Sequence, residues 1–441
     1  MMKRVLGLTI AGLLTALAPV AGELGLPVSS AYAAEEEAPK QKTRRVPSIS
    51  ESTYKKLSEV QELIDAKDMQ GARSTVKGML ERTKRMNGNE IGQVYNMLGF
   101  VEFSLENYPA AIKAYEQVIG QGEDISEGLE VGTLYTLAQL SFVENQYDDA
   151  LKYMRIWLGK ANNPGPDPHI FMGQVYYQMK DYPDGVEQIE KGIKIAQDRG
   201  TAVKENWWEL LNYLYFEQEN WPKVLEILEI LVQEFPKREY WIRLAGILGQ
   251  QGDEKGQVHA MEAAYHLGFL DRERDLMSLA GLLMQESVPY RAAEVMKEGI
   301  ADGKIEETAK NLQSYGQALQ LSQEVERAIP VFQSAAKLSD DGKIDDRLSQ
   351  LYLEDDQFSN CVTAAESAIN KGGLRRVQQT YVVKGMCQFN LDRLTAARNS
   401  FVSCRNESRR DEDSTNERVC QQWITYIDNE AKRREALEAA I

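Results

Sequence analysis

A single motif recurs along most of the chain at intervals of 33 to 39 residues. One position in each copy is small in most cases, and the series runs through Ala72, Ala111, Ala150, Gly185, Val224, Gln257, Ala292, Ala328, Cys361 and Ala397. A repeat of this length is one supersecondary unit that cannot bury its own apolar face, so neighbouring copies must share a core. Ten stacked copies therefore account for a 441-residue chain without separate folds, and no internal boundary is expected.

The clearest copy spans residues 92–119 and reads GQVYNMLGFVEFSLENYPAAIKAYEQVI. Its pattern predicts two amphipathic helices joined by a tight turn, with Pro109 in the first turn of the second helix, where a missing N–H costs little. Small side chains at Gly99 and Ala111 allow the two helices to approach closely. This order of large and small residues resembles the tetratricopeptide repeat, except that Glu102 replaces an aromatic residue. The resemblance implies an all-α, right-handed α-α superhelical solenoid.

The N-terminus has the pattern of a cleavable export signal. Two basic residues precede an uncharged apolar run from Val5 to Ala18, and the tripeptide ending at Ala33 has small residues where a signal peptidase requires them. This pattern predicts a signal peptide over residues 1–33, a periplasmic protein, and no membrane insertion after cleavage. An uncleaved anchor is the alternative, because the segment between the apolar run and Ala33 is long.

The remaining chain divides by composition and periodicity. Residues 34–50 are mostly charged or polar, which predicts a flexible leader with too little apolar surface to offset the entropy cost of ordering. Helical periodicity then predicts a solenoid of about ten hairpins over residues 51–411 and a capping helix over residues 412–441. The apolar face of that last helix carries Val419, Trp423 and Ile427.

The net charge limits the classes of partner. The whole chain has a formal net charge of −16 at pH 7. An acidic surface argues against nucleic acid and anionic lipid as ligands, although it also serves solubility alone.

All four cysteines lie in the last fifth of the chain. Consecutive helices of a solenoid are antiparallel, so residues at equal distances from a loop face each other. Cys361 and Cys387 flank one loop in this way, and Cys404 and Cys420 flank another, which predicts two disulfides in an oxidising compartment. A Cys387–Cys404 pair and four buried thiols are the alternatives. A metal site is disfavoured, because no CxxC motif or nearby histidine accompanies the cysteines.

No arrangement of residues typical of catalysis is found in the sequence. Of the three histidines, His169 occupies an aromatic position of its repeat, and His259 and His266 have no cysteine or carboxylate to complete a ligand set. There is no glycine-rich phosphate loop, no HExxH and no GxSxG. We therefore expect a protein without enzymatic activity, cofactor or small-molecule substrate.

The remaining candidate is a binding surface formed by the first helices of the repeats. In tetratricopeptide proteins these helices line the concave face, and positions 2, 5, 9 and 12 point into it. The predicted groove residues are Asn96, Phe100, Phe103, Tyr135, Gln139, Phe142, Ile170, Gln174, Tyr177, Tyr213 and Phe216. Such a surface suits an apolar or helical peptide. Packing of these rings between adjacent helices is the alternative interpretation, and the absence of basic residues at positions 5 and 9 disfavours a chaperone-tail receptor.

The combination of signal, charged leader, repeats and a cysteine-bearing C-terminal helix resembles one bacterial group. It is similar to the periplasmic tetratricopeptide proteins found with TonB, ExbB and ExbD, on copies such as YNMLGFVEFSLENYPAAIKAYEQVI and WWELLNYLYFEQENWPKVLEILEILVQEFP. The resemblance implies a non-catalytic accessory of TonB-dependent iron or siderophore uptake, with protein partners. A scaffold for envelope assembly or secretion, and an adaptor for a cell-wall hydrolase, are the other interpretations.

Overall fold

The structure is a computed structural model that describes residues 44–438. The predicted signal peptide, residues 34–43 of the predicted leader and the last three residues of the predicted capping helix lie outside these residues. Within residues 44–438 the chain forms 21 α-helices, two short 3-10 helices and no strand. Every helix of this range is too short or too polar to traverse a lipid bilayer.

The helices form ten successive hairpins and a final helix. The first five hairpins are α1 (Glu51–Asp65) with α2 (Met69–Leu80), α3 (Gly88–Ser104) with α4 (Tyr108–Ile119), α5 (Glu127–Val143) with α6 (Tyr147–Lys160), α7 (Asp167–Met179) with α8 (Tyr182–Asp198), and α9 (Glu205–Glu217) with α10 (Trp221–Glu234). The next five are α11 (Arg238–Gln250) with α12 (Glu254–His266), α13 (Glu273–Gln285) with α14 (Pro289–Ala301), α15 (Ala309–Leu321) with α16 (Val325–Leu338), α17 (Lys343–Glu354) with α18 (Phe358–Lys371), and α19 (Val377–Asn390) with α20 (Leu394–Arg410). Helix α21 (Ser414–Glu438) follows. The predicted all-α solenoid of helical hairpins is confirmed.

The described residues fall into two compact units, residues 44–227 and 228–438. The division lies inside α10, which is one continuous helix. Each repeat of a solenoid contacts only its neighbours, so the repeat pattern itself carries no sign of where compact units begin.

Small residues at the repeat position allow the two helices of most hairpins to pack closely. Each of the ten repeat positions identified from the sequence lies on the second helix of its hairpin, and all except Gln257 are buried. A Cβ atom on Gly99 would lie 2.6 Å from Tyr115 Cε1, so the ring of Tyr115 occupies the space that glycine leaves. In the α11–α12 hairpin the repeat position holds the larger residue, Gln257, and a glycine lies opposite it. A Cβ atom on Gly249 would lie 2.6 Å from Gln257 Cδ, so this glycine leaves space for the glutamine side chain.

The departure from the repeat pattern at Glu102 has a structural reason. This side chain is only 2% exposed, and its carboxylate accepts hydrogen bonds from Arg73 Nε at 2.7 Å and Asn107 Nδ2 at 2.8 Å. A buried carboxylate is tolerated when it is paired and hydrogen-bonded. The ion pair with α2 therefore replaces the aromatic contact that the pattern expects.

The predicted leader requires a correction at its C-terminal end. Residues 44–50 form no helix, but they are held against the first unit by hydrogen bonds that begin at Arg44 and end at Ser50, the N-cap of α1. Sequence composition misses this contact, because it is made by polar groups rather than by apolar burial.

The cysteines lie in the pairs that helix antiparallelism predicts. Cys361 on α18 and Cys387 on α19 are at disulfide distance, with their Cα atoms 6.3 Å apart, and Cys404 on α20 and Cys420 on α21 have Cα atoms 6.1 Å apart. These pairs join helices that are already neighbours in the second unit. The alternative pair, Cys387 with Cys404, is not formed.

Candidate peptide-binding surface of the first unit

The predicted groove residues lie on four successive first helices, α3, α5, α7 and α9, all in the first unit. We call the predicted aromatic side chains of this surface the groove rings: Phe100, Phe103, Tyr135, Phe142, Tyr177, Tyr213 and Phe216. We call Asn96, Gln139 and Gln174 the amide row. All members of both sets are half-buried.

Three groove rings, Phe103, Phe142 and Phe216, pack on aromatic residues that begin the second helix of their own hairpin. Ring centroids are 5.8 Å apart for Phe103 and Tyr108, and 5.4 Å apart for Phe216 and Trp221. These distances lie in the range of favourable aromatic pairs. Sequence reasoning did not include these partner rings in the surface, although the repeat pattern places an aromatic residue at each of those positions.

Further ring contacts join one repeat to the next. The centroids of Phe142 and Phe171 are 5.6 Å apart, and those of Tyr177 and Tyr213 are 5.3 Å apart. The groove rings therefore have one side against the protein and a partial surface open to solvent. Ile170 is different, because it is only 4% exposed; its assignment to the groove is corrected, and it belongs to the core.

The Glu217 carboxylate at the end of α9 interacts with two tyrosine phenols, those of Tyr213 and Tyr182. Burial, together with hydrogen bonding to the Glu217 carboxylate, raises the pKa of Tyr213. Burial and the same carboxylate also raise the pKa of Tyr182. Both phenols therefore stay protonated at neutral pH and keep their hydrogen-bond donors.

The amide row has no hydrogen-bond partner among the described residues. The side chains of Asn96, Gln139 and Gln174 are half-buried, yet each leaves its carbonyl oxygen and its NH₂ group without a bond to the rest of residues 44–438. A carboxamide offers two donors and an acceptor, so it can bond both the N–H and the C=O of a peptide backbone.

The groove positions of these four helices include no lysine or arginine. Asp167, at position 2 of its repeat, is paired with Lys204 at 3.3 Å, and Glu209 at position 5 is exposed. The surface is therefore neutral to acidic, which disfavours a ligand that carries a terminal carboxylate.

The histidines are placed apart from each other and from the groove rings. His169 Nδ1 lies 2.9 Å from Gln188 Oε1, His259 is exposed, and His266 Nε2 lies 3.1 Å from Arg291 Nη2. Within residues 44–438 no three histidine, cysteine, aspartate or glutamate side chains converge in a way that could hold a metal ion.

Comparison with known proteins agrees with the hairpin description. Residues 92–121 match the family model described as tetratricopeptide repeat, so the segment that carries the clearest motif is a tetratricopeptide repeat. No curated protein sequence matches the chain significantly.

Several solved structures share short repeats with this chain. A tetratricopeptide repeat protein from Parabacteroides merdae ATCC 43184 is 15% identical, covers 62% of this chain and all of its own, and has a TM-score of 0.36. The TPR2AB domain of yeast Sti1, in a complex with pHSP90, is 10% identical over 68% of this chain and 99% of its own, with a TM-score of 0.25. YrrB, described as a TPR protein with an unusual peptide-binding site, is 9% identical over 44% of this chain and 92% of its own, with a TM-score of 0.33. At such low TM-scores these similarities support no argument about this chain.

Proposed function

We propose that this protein is a non-catalytic scaffold whose first unit binds a segment of a protein partner along α3, α5, α7 and α9. The observation that carries the proposal is the amide row, because three half-buried carboxamides on successive first helices have no partner in the described structure. None of their polar atoms is among the fully buried side-chain atoms that lack a partner in the described structure, so water can reach them in the free protein. A bound peptide backbone can take the place of that water.

The groove rings define the apolar part of this recognition. Every groove ring except Phe100 packs on another aromatic residue, so little side-chain entropy is lost when a ligand covers its open side. The absence of basic groove residues favours a segment that is neutral or positively charged. The ligand is therefore a mainly apolar, uncharged or basic internal segment rather than an acidic C-terminal tail.

A selection from a random peptide display library tests this proposal on the full chain. Selected peptides should lose most of their affinity for a variant with Asn96→Ala, Gln139→Ala and Gln174→Ala. A matched variant with Gln313→Ala and Gln317→Ala, at positions 5 and 9 of α15 in the second unit, should bind them normally. Equal binding by both variants, with unchanged melting, would contradict the proposal.

We further propose that the protein is exported to the periplasm and serves as an accessory of a TonB-dependent uptake system. The basic start, the apolar run and the small residues before Ala34 support export, and the overall resemblance of the sequence supports the TonB association. N-terminal sequencing of the mature protein should begin at Ala34, and an intact Met1 in the membrane fraction would replace export by anchoring.

Cross-linking in cells followed by capture tests the association itself. Peptides of TonB, ExbB or ExbD bound to the protein support the accessory role. Envelope assembly factors or cell-wall hydrolases in their place would overturn it in favour of the other two interpretations, while the groove proposal would remain subject to its own test.

A further inference from the structure

The polypeptide immediately before α1 binds the first unit as a peptide ligand would. We call residues 44–50 the strap and the residues that bind it the strap site. Asn89 Nδ2 donates a hydrogen bond to Pro47 O at 2.8 Å, and Asn87 Nδ2 donates one to Ser48 O at 2.8 Å. Two side-chain amides at the start of α3 thus recognise consecutive backbone carbonyls of the strap.

At the C-terminal end of the strap, Ser50 donates hydrogen bonds to a buried carboxylate. Glu90 is 3% exposed, and its Oε1 accepts a hydrogen bond from Ser50 N at 2.9 Å and another from Ser50 Oγ. Its Oε2 accepts a bond from Asn87 N at 2.9 Å, which completes the capping box of α3. The strap is therefore hydrogen-bonded to Glu90, the side chain that also takes part in capping α3.

At the N-terminal end of the strap, three oxygen acceptors of the first unit bind the Arg44 guanidinium. Arg44 Nη1 lies 3.2 Å from Gly122 O, 3.3 Å from Ile125 O and 3.1 Å from Glu130 Oε2. Glu130 is 7% exposed and is also paired with Lys160 at 3.1 Å. Two backbone carbonyls and a buried carboxylate form an acceptor set that matches a guanidinium donor.

The next residue makes no such contact. Arg45 has the same charge as Arg44, but it is exposed and makes no ion pair or hydrogen bond with residues 44–438. The strap site thus binds the Arg44 guanidinium, the carbonyls of Pro47 and Ser48, and the N–H and hydroxyl of Ser50.

We propose that the strap site is a second recognition site for protein segments, distinct from the groove rings and the amide row, and that the strap is its internal ligand. The ligand class is a nonhelical segment that carries an arginine followed, three to six residues later, by backbone carbonyls and a serine. A partner segment with this chemistry displaces the strap. Because a tethered ligand acts at an effective concentration in the millimolar range, the strap keeps the site closed to weaker segments.

Binding of the free strap peptide to the full chain tests this proposal. The probe is a fluorescein-labelled peptide with the sequence of residues 44–50, RRVPSIS, titrated to millimolar concentration and followed by anisotropy. The variant Arg44→Glu repels Glu130 and opens the strap, so its apparent affinity for the peptide should exceed that of the unmodified protein by about 10-fold or more. The control Arg45→Glu makes the same charge change at a residue without contacts and should behave like the unmodified protein.

Two further measurements separate recognition from general loosening. A peptide with alanine in place of the residue that corresponds to Arg44 should not bind the Arg44→Glu protein, and Glu130→Gln in that protein should remove binding of the unmodified peptide. If Arg44→Glu does not melt cooperatively, Arg44→Ala replaces it in the same titration. Equal affinity of the peptide for the opened variant and the Arg45→Glu control, or no saturable binding by the opened variant, would overturn the proposal.

Discussion

The two units use the same hairpin but differ at positions 9 and 12 of its first helix. At position 12 of the first helices the first unit carries Ile64 in α1 and then Phe103, Phe142, Tyr177 and Phe216, whereas the second carries Gly249, Met284, Gln320, Leu353 and Phe389. At position 9 the second unit has exposed glycines in α11 and α13, Gly246 and Gly281. A methyl group at either glycine would meet no side chain of the described residues within 4 Å. The small residues that close the hairpins recur in both units, so the repeat pattern encodes the scaffold and leaves the surface free to differ.

The units also differ in how their ends are held. The first unit begins with the strap and contains no cysteine among its described residues, whereas the second ends with two disulfides in its last hairpins and α21. An end repeat has only one neighbour and is the first to fray. Polar contacts therefore secure one end of the described chain and covalent bonds the other.

Reduction of the disulfides should produce the largest effect and should spare the first unit. The sequence separations are 26 and 16 residues, for which loop-closure entropy gives about 3 kcal/mol per bond. Hydrogen exchange should become faster in α20 and α21 after Cys404→Ser and Cys420→Ser, with α3 to α6 unchanged. Free thiols at all four positions in protein taken from its native compartment would contradict this assignment.

Low pH should destabilise the strap end of the first unit, because the Glu90 carboxylate becomes protonated. Burial acts to raise the pKa of this carboxyl, but hydrogen bonds from Ser50 and Asn87 outweigh it and lower the pKa from 4.5 to about 2. A carboxyl whose pKa is lower in the folded state stabilises the fold above its unfolded pKa, and this contribution is lost as the pH falls from about 4.5 to about 2.

The variant Glu90→Gln isolates that contribution. Its free energy of unfolding should be lower than that of the unmodified protein at pH 7, and the difference should shrink as the pH is lowered through this window. A difference that stays constant with pH would show that the carboxylate charge is not the source.

The same substitution should have opposite effects at two glycines. Gly99→Leu forces atoms into the space occupied by the Tyr115 ring and should destabilise the first unit by about 1–3 kcal/mol. Gly246→Leu adds a good helix former at an exposed position and should stabilise the second unit by about 0.5–1 kcal/mol. Denaturant unfolding of the two variants measures both values, and a neutral result at Gly99 would show that the hairpin register is wrong.

The sequence predicts the hairpins well because their determinants are local. Side-chain size at the close helix contacts, as at Gly99 and Ala111, follows directly from the repeat pattern. The disulfide pairs also follow from local geometry, since each pair flanks one loop. The strap could not be predicted, because Asn87, Asn89 and Glu130 bind it across 39 to 86 residues through polar groups that carry no periodic signal. The burial of Ile170 was missed because its position within the repeat places it on a face of α7 but does not reveal which residues pack against that face.

The most direct test of the account places a photo-reactive amino acid in each unit at equivalent positions. Benzoylphenylalanine replaces Gln139 on α5 in one protein and Gln317 on α15 in another, since both residues occupy position 9 and neither has a hydrogen-bond partner among residues 44–438. After irradiation in cells, we expect a defined cross-linked protein from position 139 that is absent from position 317, and competition by a peptide selected for groove binding should remove it. The same products from both positions, or no product from position 139 in a folded protein, would contradict the assignment of partner binding to the first unit.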